Sequence, residues 1–138
     1  MKKYVTISFW YAMAAIVCGV FYREFTKMNG FTGKTALAFC HVHLFALGTL
    51  LFLILALFAA FTTLEEQKQF RVFRVLYGVG LPFMTAMFLV RGIFQVLGTP
   101  LSAGASAAIS GVAGLAHCLM TGALITLFLA LRKGEKRA

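Results

Sequence analysis

The sequence has very little charge and almost no acid. Charged residues make up 12% of the 138-residue chain, and only four residues are Asp or Glu. Ordinary soluble domains carry about 25% charged residues, so a chain this poor in charge could not cover a water-exposed surface. Its residues are instead 61% hydrophobic, which indicates a protein whose solvent is the lipid bilayer.

Cysteine is also scarce, which excludes a disulfide-stapled domain. The three cysteines, Cys18, Cys40 and Cys118, are an odd number, form no C-x-x-C motif and lie inside apolar runs. Such residues usually behave as small buried hydrophobic groups.

The net charge of +9 could suggest nucleic acid, but the basic residues cluster at the ends of apolar runs. Membrane proteins use Lys and Arg in this way. We therefore predict a lipid bilayer as partner and no nucleic acid.

Four apolar segments are each long enough to cross a bilayer, which takes about 20 residues. They are separated by the turn-rich or charged breaks MNGFTGK, LEEQKQFR and GTPLSAG. We predict a single all-α domain over residues 1–138, a four-transmembrane-helix bundle with spans near 4–22, 35–61, 73–97 and 105–131.

The basic residues also predict an orientation. Nine lie on the side of the termini and the middle break, and four lie on the other side. The positive-inside rule then places both termini in the cytoplasm. The nine are Lys2, Lys3, Lys68, Arg71, Arg74, Arg132, Lys133, Lys136 and Arg137, and the four are Arg23, Lys27, Lys34 and Arg91.

The second and fourth spans resemble each other. HLFALGTLLFLILAL (43–57) and HCLMTGALITLFLAL (117–131) are identical at seven of fifteen positions, and His43 aligns with His117 and Gly48 with Gly122. We interpret this as an internal repeat of two parallel helical hairpins, with an approximate two-fold axis along the membrane normal. That symmetry would put His43 and His117 at the same depth, facing each other.

Ionisable side chains inside a span are costly and are functional candidates by default. Two imidazoles facing each other in a bundle can bind an iron porphyrin from both faces. We therefore predict haem b with His43 and His117 as axial ligands, and Gly48 and Gly122 as places where a ring edge or another helix approaches closely. A histidine–histidine or histidine–backbone hydrogen bond between helices is the alternative without a cofactor.

His41 precedes His43 by two residues, which turns it about 200° away on a regular helix. We expect it to reach the first span, a subunit interface or a second cofactor. This separation argues against the alternative of a copper or zinc site built from all three histidines.

Arg91 lies inside the third span and needs an anionic partner. Glu24, the only acidic residue on that side, is one candidate. A haem propionate is the other, and it could also bind Arg23 or Lys34.

The runs GVFYREFTKMNGFTG, HVHLFALG, VRGIFQVLG and AHCLMTG resemble a bacterial family of small four-span membrane proteins, domain of unknown function 2871. The resemblance covers nearly the whole chain. It implies a multi-pass protein of the bacterial cytoplasmic membrane and brings no established activity.

The histidines lead to three hypotheses about function. The first is a haem b-binding membrane protein in electron transfer or in redox or gas sensing, a homodimer with a redox protein or a quinone as partner. The second is a small proton- or metal-handling transporter. The third is a non-catalytic accessory subunit of a larger membrane complex.

Overall fold

The computed structural model describes residues 1–135, which form four long helices. These are α1 (Lys2–Met28), α2 (Leu37–Phe61), α3 (Lys68–Leu97) and α4 (Ala103–Lys133). Each is long and apolar enough to cross a membrane, so the predicted all-α, four-helix membrane protein is confirmed. Lys136 and Arg137, which entered the charge count above, lie outside the described residues.

The helices are mostly longer than the spans read from hydropathy. α1 continues to Met28 through Arg23 and Lys27, and α3 begins at Lys68. Hydropathy marks the part of a helix that lies in hydrocarbon, whereas the backbone stays helical into the interface until a residue ends it. As a result the second half of the predicted break LEEQKQFR is helical, and only Leu64–Glu66 forms a separate 3₁₀ turn.

The other two breaks are turns, as predicted. α3 ends at Gly98, whose φ of 61° is left-handed, a conformation that favours glycine. Four residues later the Ser102 side chain accepts a hydrogen bond from the Ala105 N–H and caps α4.

The helices pack in chain order, α1 on α2, α2 on α3 and α3 on α4. At one end, which we call the terminal end, the Tyr4 hydroxyl donates to Glu65 Oε1 at 2.6 Å. There too the Thr63 N–H donates to the Glu135 carbonyl at 3.0 Å. The start of α1 and the residue Glu135 after α4 therefore meet the α2–α3 loop, and the loops after α1 and α3 form the opposite, far end.

The terminal half of the bundle contains most of the aromatic core. Tyr4, Phe70, Phe73 and Tyr77 are fully buried, and their rings pack against one another and against Phe52 of α2. α4 joins this core through a narrow stripe of mostly small residues, which lets it lie close to α3. The stripe consists of Ala116, Met120, Ala123, Leu127 and Ala130.

The middle of α2 is a π-helix over Leu44–Leu50, directly after His43. A π turn is wider than an α turn. Two carbonyls of the segment also accept from side chains of neighbouring helices. The Tyr77 hydroxyl donates to the Leu47 carbonyl and the Ser8 hydroxyl to the Thr49 carbonyl, both at 2.9 Å.

The structure does not confirm the internal repeat. α4 is α-helical along its whole length and has no counterpart of the π segment. The aligned leucines also differ in environment, because Leu53 is 42% exposed whereas Leu127 is 2% exposed. Since α2 packs between two helices, its buried face differs from that of α4.

Gly48 of the π segment packs closely against Tyr11 of α1. A Cβ built there would lie 2.5 Å from Tyr11 Cγ and 2.6 Å from Tyr11 Cβ. We expect Gly48→Ala to destabilise the protein by about 1–3 kcal/mol, the usual cost of overpacking. Thermal unfolding in detergent measures the change. Gly111→Ala is the matched control, because nothing lies within 4 Å of a Cβ there, and it should be neutral or slightly stabilising. Equal melting temperatures for the two variants would contradict the close packing.

Glu65 connects the α2–α3 loop to the start of α1 and makes stability depend on pH. Hydrogen bonds from Lys3 and then Tyr4 lower the Glu65 pKa. A carboxyl with a lowered folded-state pKa adds stability above its unfolded value of about 4.3, and this stability is lost as the pH falls through the folded value. In unfolding measurements from pH 6 to pH 3, the wild type should therefore lose more stability than Glu65→Gln. Parallel pH profiles for the two proteins would refute this role.

Candidate functional site

His43 and His117 make the same local contact on two different helices. His43 Nδ1 lies 2.9 Å from the Phe39 carbonyl oxygen, and His117 Nδ1 lies 2.8 Å from the Ala113 carbonyl oxygen. A carbonyl can only accept a hydrogen bond, so each Nδ1 carries the hydrogen and donates it. In the neutral rings both Nε2 atoms then keep a free lone pair, and neither forms a hydrogen bond within residues 1–135.

The imidazole rings of His43 and His117 both contact the ring of one α3 residue, Phe88. The centroid of the Phe88 ring lies 4.8 Å from that of His43 and 6.0 Å from that of His117. His43 is half-buried, and His117 is exposed at the surface of the chain. α2 and α4 both pack on α3, and each histidine lies near the level of the Phe88 ring that it contacts.

A cavity of about 560 Å³ extends from this level toward the far end of the bundle. Phe39 on α2 and Ala113 on α4 line it, each one turn before its histidine, and Phe88 and Arg91 line it from α3. We call this cavity the outer cleft. Its size is within the range of sites for cofactors and other small molecules.

Polar side chains of α3 hold both walls of the outer cleft at its far end. Arg91 Nη1 donates to Ser110 Oγ of α4 at 2.8 Å, and Gln95 Oε1 accepts from the Ala36 N–H at 2.7 Å, next to the start of α2. Arg91 has no carboxylate partner among the described residues. Glu24, the predicted protein partner, instead lies 3.7 Å from Arg23.

His41 faces α1 rather than α3, as its spacing from His43 predicts. Its ring stacks on Tyr22 of α1 with centroids 6.4 Å apart, and a Cβ on Gly19 would lie 3.7 Å from it. The Nδ1 atom is buried and has no hydrogen-bond partner in the described part of the chain. Of the three environments expected for His41, the structure therefore shows one, contact with the first span.

Of the predicted site residues within residues 1–135, only Arg91 and Lys34 line the outer cleft, and His43 and His117 each lie one turn after a residue that lines it. Gly48 packs against α1, and the nearest atom to a Cβ on Gly122 is Leu76 Cδ1 at 3.8 Å. Over residues 1–135, no three or more His, Cys, Asp or Glu side chains come together as a metal site. The three histidines accordingly do not converge on one point.

Phe88 is the site residue that the sequence did not single out. It is one of fifteen phenylalanines, and nothing in its immediate sequence distinguishes it from the others. Its spacing from Arg91 and Gln95, three and seven residues, puts all three on one face of α3. Because Arg91 was already a candidate site residue, that spacing could have identified Phe88 as a second candidate.

Together these features define a multi-pass membrane protein that carries two similarly oriented histidines beside a cavity between its helices. A family model described as "Protein of unknown function (DUF2871)" matches residues 1–134, so the chain belongs to this family, as the resemblance predicted. No curated protein and no solved structure matches the chain significantly.

The hydrogen bonds to Phe39 and Ala113 predict the tautomer of each ligand-free histidine. Nitrogen-15 NMR of histidine-labelled protein above pH 7.5 should show His43 and His117 protonated at Nδ1 and not at Nε2. His43→Gln and His117→Gln assign the signals. Finding the Nε2–H tautomer, which is the more common one in water, would show that these bonds do not form.

Proposed function

We propose that this chain is a haem b-binding integral membrane protein in which His43 and His117 are the two axial ligands. The single observation that carries the proposal is the matched geometry of these histidines. Each donates Nδ1–H to its own helix, leaves Nε2 free and contacts Phe88. Histidine ligands of metals usually have this arrangement, because the hydrogen bond at the second nitrogen fixes the ring and makes the ligand more basic.

The polar end of the outer cleft suits the acidic groups of the same cofactor. Arg91 uses one of its five N–H donors on Ser110, and it has no acidic partner in the described chain. Lys34 adds a second cation, and the side-chain amide of Gln95 adds N–H donors. We infer that these residues would bind the haem propionates.

Bound haem would supply a one-electron iron couple buried within the bilayer. With two strong histidine ligands the iron has no open position, so electron transfer is favoured over oxygen chemistry. Release of one histidine would open a position for a gas, which is the sensing form of the proposal. His117 is the better candidate for release, because it is exposed and His43 is half-buried.

We place the protein in the bacterial cytoplasmic membrane with both termini inside. The terminal end carries most of the described basic residues, as the positive-inside rule requires. We also propose a homodimer in which the second copy covers α4, because an exposed histidine would otherwise face lipid, which is costly. A quinone or a redox protein of the membrane is the class of partner for such a haem.

Absorption spectroscopy tests the proposal. Protein purified from haem-replete cells, or mixed with hemin, should show a Soret band and, after reduction, a sharp α-band. His43→Ala and His117→Ala should each abolish the six-coordinate spectrum and lower haem affinity at least tenfold, since each removes one of two iron ligands. His41→Ala is the matched control and should leave the spectrum unchanged, because His41 faces α1.

Folded wild-type protein that stays colourless after hemin addition would reject the proposal. Uptake of metal ions into vesicles by that colourless protein would favour the transporter hypothesis. Co-purification with a larger complex, without uptake, would favour the accessory subunit.

A further inference from the structure

We infer that a second cavity, at the far end of the bundle, binds the phosphate group of an anionic phospholipid. It has a volume of about 430 Å³, and its lining includes Arg91 and Gln95 of α3, Thr99 of the loop after α3 and Ser106 of α4. We call it the loop cavity. No histidine of the described chain lines it, so the inference goes beyond the proposed function and does not require haem.

The polar side chains of the loop cavity keep hydrogen-bond donors that no protein group uses. Arg91 Nη1 donates to Ser110 Oγ at 2.8 Å, and Gln95 Oε1 accepts from a backbone N–H beside α2 at 2.7 Å. These contacts hold both side chains in place and leave the other N–H groups of Arg91 and the amide N–H groups of Gln95 without a partner in the described chain. The hydroxyls of Thr99 and Ser106 likewise form no hydrogen bond within residues 1–135. The cavity therefore presents a guanidinium, an amide and two hydroxyls to a ligand.

The charge around the loop cavity selects an anion. No Asp or Glu lines it, and Glu24, the carboxylate of the far end within the described residues, lies 3.7 Å from Arg23 on α1. A phosphate accepts hydrogen bonds through several oxygens, and a guanidinium binds two of them at once. A headgroup that also carries an ammonium would bring a second cation next to Arg91 with no carboxylate to pair with it. The cavity therefore suits a phosphodiester without an ammonium group.

The loop cavity lies at the depth of lipid phosphates. α3 has 30 residues, so it is roughly 45 Å long, which matches a bilayer with both of its headgroup layers, about 40–45 Å. The last helical residue, Leu97, then reaches the outer edge of the headgroups, and Arg91 lies roughly 9 Å deeper. The cavity between them spans the boundary from headgroups to hydrocarbon.

Apolar residues identify the source of the phosphate as a lipid. Phe94, Leu101 and Ile109 line the loop cavity beside the polar side chains. A free phosphate ion would leave these three residues without contacts, whereas the glycerol and the first acyl carbons of a phospholipid can pack on them. We therefore assign the ligand as an anionic phospholipid of the leaflet at the far end.

The test is native mass spectrometry of the full chain in detergent, titrated with phosphatidylglycerol, which has a phosphodiester and no ammonium. Wild type should bind it about tenfold more tightly than phosphatidylcholine with the same acyl chains. Hemin is not added, so the result does not depend on the haem proposal. Isothermal titration with inorganic phosphate distinguishes a lipid site from a site for the free ion.

Two variants locate the binding. Arg91→Gln should weaken phosphatidylglycerol binding about tenfold, since it removes the charge and the paired N–H donors. The double variant Thr99→Ala/Ser106→Ala should weaken it several-fold, and it changes only residues that line the loop cavity and not the outer cleft. Circular dichroism verifies folding. If Arg91→Gln does not fold, Arg91→Lys replaces it, and its affinity should still fall because a lysine lacks the paired donors.

Lys34→Gln is the matched control. It removes one positive charge at the same end, and Lys34 lines the outer cleft but not the loop cavity. Its phosphatidylglycerol affinity should stay close to that of wild type. An equal loss of affinity in Lys34→Gln and Arg91→Gln would show general attraction to the basic end and overturn the inference. Equal affinity of wild type for the two lipids would also overturn it, as would binding of inorganic phosphate without binding of phosphatidylglycerol.

Discussion

A histidine inside a bilayer has to satisfy two ring nitrogens with no water to help. His43 and His117 satisfy one of them in the same way, by donating Nδ1–H to the carbonyl of the preceding helical turn. This bond costs little, because its acceptor is on the same helix and needs no other element to be in place. Its consequence is that the ring orientation and the tautomer are fixed before any partner is bound, and that the basic nitrogen points away from the histidine's own backbone. The proposed ligand role depends on this bond more than on any contact between helices.

The buried aromatic core and the outer cleft lie in different halves of the bundle. The terminal half holds the fully buried Tyr4, Phe70, Phe73 and Tyr77, so unfolding it would expose a large apolar area. The far half is more open, and α4 there carries Gly104, Gly111 and Gly114 with no neighbour within 4 Å of a Cβ.

The sequence was sufficient for the features that depend on period and composition. It predicted four spans and the different directions of His41 and His43. Both follow from hydropathy and from the geometry of a regular helix, whereas the pairing of His43 with His117 as site residues stays a prediction. Features that depend on a departure from regular geometry were not predictable. The sequence of the π segment Leu44–Leu50, LFALGTL, is that of an ordinary membrane helix, and the hydroxyls that donate to its carbonyls come from Ser8 and Tyr77 on other helices.

Gly48 and Phe88 illustrate the same limit at the site. The prediction for Gly48 left open whether a ring edge or another helix approaches it closely, and the structure shows the other helix, since Gly48 packs against Tyr11 of α1. A repeat predicts equal depth in the bilayer, whereas the direction of a side chain also depends on how many helices surround its own. α2 has neighbours on two sides and α4 packs mainly on α3, so equal positions in the alignment do not share an environment. The role of Phe88 as a site residue could not be predicted for another reason. One phenylalanine among many can be recognised as a site residue only in the folded structure, where three helices come together around it.

The geometry of the histidines also bears on the choice between a fixed ligand and a proton relay. A relay takes a proton at one ring nitrogen and releases it at the other, so both nitrogens must be free to exchange. In His43 and His117 the Nδ1–H is committed to a backbone carbonyl, and only Nε2 can gain or lose a proton. A ring held in this way can release a proton only from the nitrogen that received it, unless the hydrogen bond at Nδ1 breaks and the ring turns over. A metal ligand, in contrast, needs one fixed nitrogen with a free lone pair, and both histidines meet that requirement.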